Sequence, residues 1–597
     1  MTFAGVSLSN GGSPDHQYPL GSRLRRVYLL FFIMLVPVLQ AQAGVTIEAP
    51  GSDDALMQNL HARLGLDDVS CDAPAWRVRR LFNRAEKDIE PALRAFGYYR
   101  AKVDKKLETE DDCWEASFVI DLGERVKIRK RTVVVHGEAS GDKDLRSLLS
   151  GFPLAEGAPL NHAQYENIKS SLHEYAAQRG YFEYVLTRHE LRVYPGEAAA
   201  EIDIEAESGP RYRFGEIRVD EVPLNDDFVR RLARTREGEP YDARALLRMD
   251  RDLNDGGYFR RVEVRPKRDE SKDLAVPVDV LLEPAPRHAW RFGVGYATDT
   301  GPRGSVGYEN RYLNPKGHRF QSELQVSPIL SSLRGDYVIP GREPHRETFA
   351  VGARLQHEDN DSAESDSASL IGSQTLKSKR WNQTRFVELL HEKSTVGDED
   401  WTTDTLLMPG IGLSYIKADN PLQTRKGYRV NLEVRGAHEA VFSTTSMMQF
   451  RAGAKGIYRF GEGGRITARV DGGTTLSDSV KDLPASLRFF AGGDNSVRGY
   501  KYKSLGPEDS EGDPKGARHL LTGSLEYEHP VKTDEWWLAT FVDAGNAFDF
   551  DEVDAKVGYG VGVRWYSLIG RLRVDIAFPQ DREDGDWRLH FGIGADL

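Results

Sequence analysis

The spacing of hydrophobic positions changes about halfway along the chain. Before residue 287, stretches with apolar residues three to four apart alternate with short stretches of period two. Leu81, Ala85, Ile89, Leu93 and Phe96 form one helical face, and Tyr165, Ile168, Leu172 and Tyr175 form another. Ile202 and Ile204, then Val278, Val280 and Leu282, alternate as strand residues do. From Ala289 onward period two dominates, as in Arg429-Val430-Asn431-Leu432-Glu433-Val434-Arg435 and Arg571-Leu572-Arg573-Val574-Asp575-Ile576. The pattern predicts mixed helix and sheet first, then many antiparallel strands.

The first half repeats itself. Gly97-Tyr98-Tyr99, Gly180-Tyr181-Phe182 and Gly257-Tyr258-Phe259 recur at spacings of 83 and 77 residues. Each follows a helical stretch and precedes strand alternation, so the glycine ends a helix and the aromatic pair opens a strand. Glu156-Gly157-Ala158-Pro159-Leu160 and Glu237-Gly238-Glu239-Pro240-Tyr241 lie upstream of the same helix in the second and third copies. Strands at Lys130–His136 and Phe214–Val219 open those copies. The expected unit is β-α-α-β-β, in three domains spanning 44–124, 125–209 and 210–286. Its exposed sheet edge suits either capture of an extended peptide or a purely spacing role.

In the second half, sixteen strands are expected to begin near 289, 303, 317, 332, 347, 370, 382, 405, 426, 445, 463, 517, 535, 556, 570 and 586. A soluble sandwich also alternates. The strand number, together with Trp290, Tyr296, Trp381, Trp401, Trp536 and Trp565 at strand ends, favours a transmembrane β-barrel over residues 287–597. An even count leaves both barrel termini on the same side, and the longest gap, about Ser477–Ala517, on the other or folded inside.

The apolar run Val27–Leu39 is too short to span a bilayer as a helix. It follows Arg23, Arg25 and Arg26 and ends at Ala41-Gln42-Ala43, the order of a secretory signal peptide, so residues 1–43 are expected to be removed. Export places the barrel in a Gram-negative outer membrane with the repeats in the periplasm. The chain carries a net charge of -12 and a mean hydropathy of -0.52, which argues against nucleic acid as a partner. Cys71 and Cys113, its two cysteines, fall in the first exported domain and are expected to form a disulfide. Neither a CxxC nor a paired His accompanies them, so no metal site is expected.

Within the long gap lies Gly492-Gly493-Asp494-Asn495-Ser496-Val497-Arg498-Gly499-Tyr500. Along the strand after it, Leu521, Gly523, Leu525 and Tyr527 share one face, which puts Glu526 on the other, in the lumen. On the next strand Asp543 also points inward, because a carboxylate in lipid is costly. Two inward carboxylates on adjacent strands invite a cation, and Arg498, on a long loop beside Gly499, can fold in to meet both. Val497-Arg498-Gly499-Tyr500 resembles the loop signature of the outer-membrane assembly superfamily that includes BamA, TamA and the two-partner secretion transporters. The three repeats resemble its POTRA domains. In that superfamily the loop arginine packs on the acid of Phe-x-Asp-x-Gly, which here is Phe541-Val542-Asp543-Ala544-Gly545. Three repeats and this chain length resemble the TamA branch more than the others. That resemblance implies unfolded outer-membrane clients such as autotransporters and an inner-membrane-anchored, TamB-like partner held by the periplasmic domains. The chain departs from many outer-membrane barrels in ending Asp596-Leu597 rather than in Phe or Trp.

The first strand places Gly293 and Gly295 inward, and the last places Gly592 and Gly594 inward beside Arg588 and His590. Glycine makes no cross-strand side-chain pair, so the closing seam is expected to be weak and to open sideways for a client strand. A passive pore and a two-partner-type transporter are the rival readings. No HExxH, GxSxG or P-loop occurs, so neither catalytic residues nor a cofactor are expected. The acidic run Glu358–Asp366 is expected to be a solvated loop.

Overall fold

A computed structural model describes residues 44–597 apart from short breaks at 111–112, 235, 379–380, 421–422, 462, 532, 551–553, 568–569, 582–586 and 595–597. The expected leader and the C-terminal Asp596-Leu597 therefore lie outside the described residues. Three small α/β domains precede a sheet of sixteen strands, each paired to the next in chain order.

The first domain contains strands Gly44–Glu48, Lys102–Glu110 and Cys113–Asp121 and helices Asp54–Arg63 and Ala75–Ala95. The second has strands Lys127–His136, Val185–Tyr194 and Ala199–Glu207 with helices Lys143–Gly151 and His162–Arg179. The third has strands Arg213–Val219, Phe259–Pro266 and Ala275–Pro284 with helices Asp226–Ala233 and Ala243–Asp255. In every sheet the third strand lies between the first and the second. In the first and third domains it runs parallel to the first strand and antiparallel to the second. The helices bury the apolar faces that their spacing announced: Leu56, Leu60 and Ile89 pack with Phe118 in the first domain, and Phe228, Leu232 and Leu253 pack with Val278 in the third. Their starts are capped where an acid is available, by Asp53 to Leu56 N (2.8 Å) and by Asp242 to Arg244 N (2.9 Å). Cys71, between the helices of the first domain, is disulfide-bonded to Cys113 on its central strand. A cross-link over a sequence separation of 42 stabilises by roughly 4 kcal/mol on the chain-entropy estimate.

The two repeated phrases turn out to be halves of one joint. Gly97, Gly180 and Gly257 all have positive φ (91°, 83° and 73°), and the tyrosine after each is buried. Positive φ is the left-handed end of a helix, for which glycine is suited. A Cβ at Gly97 would lie 2.8 Å from Leu160 O, and one at Gly180 would lie 2.7 Å from Tyr241 Cβ. Leu160 and Tyr241 each follow the proline of Glu-Gly-x-Pro in the next domain. The backbone repeats the match: Val126 N donates to Gly97 O and Tyr212 N to Gly180 O, both at 2.9 Å. Arg179 adds ion pairs at the second joint, reaching Asp142 (3.2 Å) and Asp242 (3.3 Å).

The barrel strands begin at residues 288, 301, 319, 330, 347, 363, 382, 402, 426, 447, 465, 519, 533, 556, 570 and 588. The outer face is apolar, with Phe292, Val294, Leu525, Leu538 and Val561 exposed on it. The lumen buries Glu528, Asp543, Arg564 and Asp575 completely. This inversion of a soluble core, grease outside and charge inside, is what a hydrocarbon solvent selects. The third domain abuts the barrel at its two nearest turns. Asn225 N donates to Pro315 O (2.8 Å), Tyr258 Oη to Gly317 O (2.6 Å) and Arg231 Nη1 to Gly341 O (3.0 Å).

Candidate functional site

The segment between the eleventh strand, Arg465–Leu476, and the twelfth, His519–Val531, folds back into the lumen. Phe489 and Ala517 exchange backbone hydrogen bonds of 2.9 Å, as do Ala491 and Leu505 at 2.9 and 3.0 Å, so the segment is a narrow ribbon. Leu483 and Leu487 on it pack against Leu390, Leu406 and Met408 of the barrel interior. The ribbon thereby satisfies its own backbone and spends its apolar residues on the wall.

Its Val497-Arg498-Gly499-Tyr500 stretch lies against strands twelve to fifteen: His519–Val531, Thr533–Phe548, Lys556–Ser567 and Gly570–Pro579. The Arg498 guanidinium grips Asp543 with both prongs, Nε to Oδ2 at 2.7 Å and Nη2 to Oδ1 at 2.9 Å. Its Nη1 donates to Glu526 Oε2 at 2.8 Å and to Asp575 Oδ2 at 2.9 Å. The planar group lies 3.4 Å from the Phe541 ring centre, a cation over an aromatic face. Bidentate, charge-assisted contacts of this kind are the strong end of hydrogen bonding. The carboxylates are shared further. Arg564 pairs with Glu526 (2.7 Å) and Asp575, Arg571 with Glu526 (2.8 Å) and Glu528 (2.9 Å), and Arg465 with Glu528 (2.7 Å). Four arginines thus face four carboxylates, each of the eight side chains buried. A buried charge is tolerated when it is paired, and here the cluster sums to neutrality.

Two glycines make the approach possible. Gly499 has φ 97° and a Cβ there would meet Pro579 N at 3.0 Å. Gly558, on strand fourteen, sits so close under the loop that a Cβ would fall 1.8 Å from Arg498 O. Val497 is fully buried, and Tyr500 donates from its hydroxyl to Asp581 Oδ1 at 2.7 Å.

The tip of the loop reaches the seam between strand one, His288–Ala297, and strand sixteen, Arg588–Gly594. Among the described residues no ladder of backbone pairs joins these two strands. The contacts are sparse: Phe591 N donates to Thr298 Oγ1 at 2.7 Å, and the Tyr296 and Phe591 rings lie 6.3 Å apart. Asp494 bridges the gap. Its backbone N–H donates to Asp299 Oδ2 (2.8 Å) on the strand-one side, while its carboxylate takes His590 Nδ1 (2.6 Å) on the strand-sixteen side. Gly499 N donates to His590 Nε2 at 3.0 Å, which leaves the ring proton on Nδ1 for Asp494. Arg573 Nη2 holds Asp494 O at 2.9 Å. Of the four seam glycines, Gly293 faces Ser305 and Gly295 faces Arg303, so those glycines leave room for neighbouring side chains of strand two. Gly592 makes the same room for Arg573, and Gly594 pairs with Arg571 in the backbone register.

Alternation along each strand shows Glu526 and Asp543 to be inward residues. It also marks Asp575, Arg564 and Arg571 as inward, but carries no sign of which pairs meet. The acidic run is where expectation and structure part. Glu358 to Asn360 end strand five and Ala363 starts strand six, so the run is a tight hairpin rather than a free loop. Glu358 is buried and pairs with Lys503, and Asp361 pairs with Lys501 at 2.9 Å. Two of the five acids, Glu358 and Asp361, are thus taken up by lysines of the inserted ribbon, which a sequence separation of some 140 residues conceals.

Residues 305–597 match the Omp85 superfamily domain. Residues 46–122 match the first POTRA domain of TamA, and 126–205 and 212–282 match POTRA, described as a surface antigen variable number repeat. An outer membrane protein assembly factor BamA from Neorickettsia risticii is 22% identical over 530 residues, covering 83% of this chain and 70% of that one. The BamA of Nitratidesulfovibrio vulgaris is 32% identical over 140 residues, 22% of this chain and 18% of its own length. The crystal structure of Haemophilus ducreyi BamA lacking POTRA domains 1–3 superposes with a TM-score of 0.65 at 16% identity, covering 79% of this chain and 99% of that one.

Proposed function

Since the chain belongs to the POTRA-bearing Omp85 superfamily of outer-membrane barrels, we propose that it assembles or translocates other outer-membrane proteins by adding their strands at its own seam. The observation that carries this reading is the seam itself: two edge strands without a ladder among the described residues, held by Asp494 of the inserted loop. An unpaired strand edge is a template for another chain. The Arg498 cluster anchors the loop, and the loop in turn ties both edges. Withdrawal of Asp494 would free strand one to accept a client strand while the rest of the barrel stays paired.

Within the superfamily we assign the chain to the TamA branch, on three POTRA domains and the TamA-type match of the first of them. Its clients are then autotransporter-like barrels, and a TamB-like protein anchored in the inner membrane is its partner on the periplasmic domains. The test is a reversible cross-link of Tyr296→Cys with Phe591→Cys, whose rings face each other across the seam. Oxidation is expected to stop client insertion into proteoliposomes and reduction to restore it, relative to wild type treated identically. Unimpaired insertion with the pair fully cross-linked excludes the seam as the route.

A further inference from the structure

Helix Asp226–Ala233 of the third domain and the turn between strands four and five, Leu330–Pro340 and Glu347–Asn360, line an open cavity of about 840 Å³. Six arginines and three carboxylates line it. Four of the arginines are spoken for: Arg230 by Asp226 (2.7 Å), Arg234 by Asp252 (2.8 Å), Arg236 by Glu239 (3.1 Å) and Arg346 by Glu343 (3.1 Å). Two are not neutralised in this way. Among the described residues Arg231 donates to the carbonyls of Gly341 and Arg342 and meets no carboxylate, and Arg342 has no ion pair.

The turn also sets His345 into the cavity with its side chain nine-tenths buried and, among the described residues, neither ring nitrogen hydrogen-bonded. The nearest carboxylate oxygen, Glu343 Oε2, is 3.7 Å from Nε2. A buried imidazole with no partner costs free energy, so a missing acceptor is the natural occupant. Burial, then the positive charge of Arg234, lowers the proton affinity of His345, leaving a neutral ring with one N–H to give.

A second hollow, of about 630 Å³, adjoins the same turn and shares Arg342, Glu343 and Arg346 with the first. Its remaining wall is mixed, with Glu347, Lys377 and Ser378 beside a more apolar side. Leu376, Gln383 and Leu413 form one cross-strand row, continued by Leu432, which is exposed on the lipid-facing side, and Trp381 stands at the strand end. Tryptophan at a strand terminus marks the level of the lipid headgroups. A polar, cationic pocket therefore opens beside an apolar groove at the depth where headgroup gives way to acyl chain.

We propose that this paired hollow binds an anionic glycerophospholipid of the periplasmic leaflet. Its phosphate sits against Arg231, Arg342 and His345, with Arg346 beside them shared with Glu343, and an acyl chain runs along the Leu376–Leu413 row. Arg231 and Arg342, which no carboxylate neutralises among the described residues, favour a net-negative headgroup over a zwitterionic one, and guanidinium matches phosphate oxygens in pairs. The lipid would lie where the last periplasmic domain abuts the barrel.

The experiment is native mass spectrometry of the full chain in detergent, titrated separately with phosphatidylglycerol, phosphatidylethanolamine and inorganic phosphate. Wild type is expected to retain phosphatidylglycerol at least about fivefold more tightly than phosphatidylethanolamine, and Arg342→Gln with Arg346→Gln to lose that preference. His345→Gln, which keeps one donor, is expected to lose less. The heat-induced gel shift of each variant reports that its barrel is folded. Undiminished phosphatidylglycerol retention in the folded double variant overturns the proposal, as does equal retention of the two lipids by wild type. Complete displacement of phosphatidylglycerol by inorganic phosphate overturns it too, assigning the pocket to a free anion.

Discussion

Arg498 is the residue on which the inserted loop depends. It supplies the bidentate clasp on Asp543 and single contacts to Glu526 and Asp575, all inside the barrel. Removing one member of a buried ion cluster leaves charge uncompensated, a loss of about 3–5 kcal/mol. Arg498→Ala is therefore expected to lower the temperature at which the barrel loses its fast-migrating band on a denaturing gel. Arg498→Lys keeps the charge but not the fork, and is expected to fall between the two. The double change Arg498→Ala with Asp543→Ala is expected to cost less than the sum of the singles, because it removes both charges together. A wild-type transition for Arg498→Ala means that the cluster does not hold the loop. That Arg498 would find acids was readable from the sequence. Asp575 was not read as a partner, because its contact depends on how strand fifteen is displaced along the barrel relative to strand thirteen.

At the scale of elements, the joints between periplasmic domains repeat with the domains. Arg179 holds Asp142 and Asp242 across the second joint. Burial raises the Asp142 pKa, but the nearby Tyr175 hydroxyl and hydrogen bonds from the Asp144 N–H and Arg179 outweigh it, and the net shift is downward. Asp242 is likewise held below its ordinary value: burial opposes, and Arg244 with its backbone N–H prevails. Carboxylates with a lowered folded-state pKa stabilise fully above their unfolded value, about 3.9, and lose that contribution as the pH falls through the folded value. Hydrogen exchange in the full chain is thus expected to speed up around Gly180 and Tyr241 below about pH 4 and to be insensitive between about pH 6 and 8. Arg179→Gln should show the faster exchange already at neutral pH, and equal protection at both pH values would remove the ion pairs from the account of this joint. The phrases Gly-Tyr-Phe and Glu-Gly-x-Pro were visible as repeats. Their meeting was not, since each pair belongs to different domains and packs only once both have folded.

For the whole molecule, the inserted ribbon decides whether the barrel is a hole. Leu483, Leu487, Phe489, Val497 and Tyr500 are buried on it, so it fills space as well as bearing the lock. Planar-bilayer recordings are expected to show small, intermittent conductance for wild type and a larger, steadier one when residues 478–517 are replaced by a short glycine-serine turn. Equal conductance would mean that the ribbon does not obstruct the lumen, and would revive the passive pore. The sequence by itself determined the three domains, the sixteen strands and the two faces of each strand. Those follow from periodicity and turn residues, which are local and need no partner to be legible. Tertiary structure alone decided the four-by-four ion cluster, the Asp299–Asp494–His590 bridge over the seam, the lysines on the acidic hairpin and the arginine pocket beneath the third domain. Each of these joins residues far apart in the chain, and their meeting is set by strand register, barrel closure and the path of one long loop. An alternating pattern says which side a residue faces and nothing about who faces it.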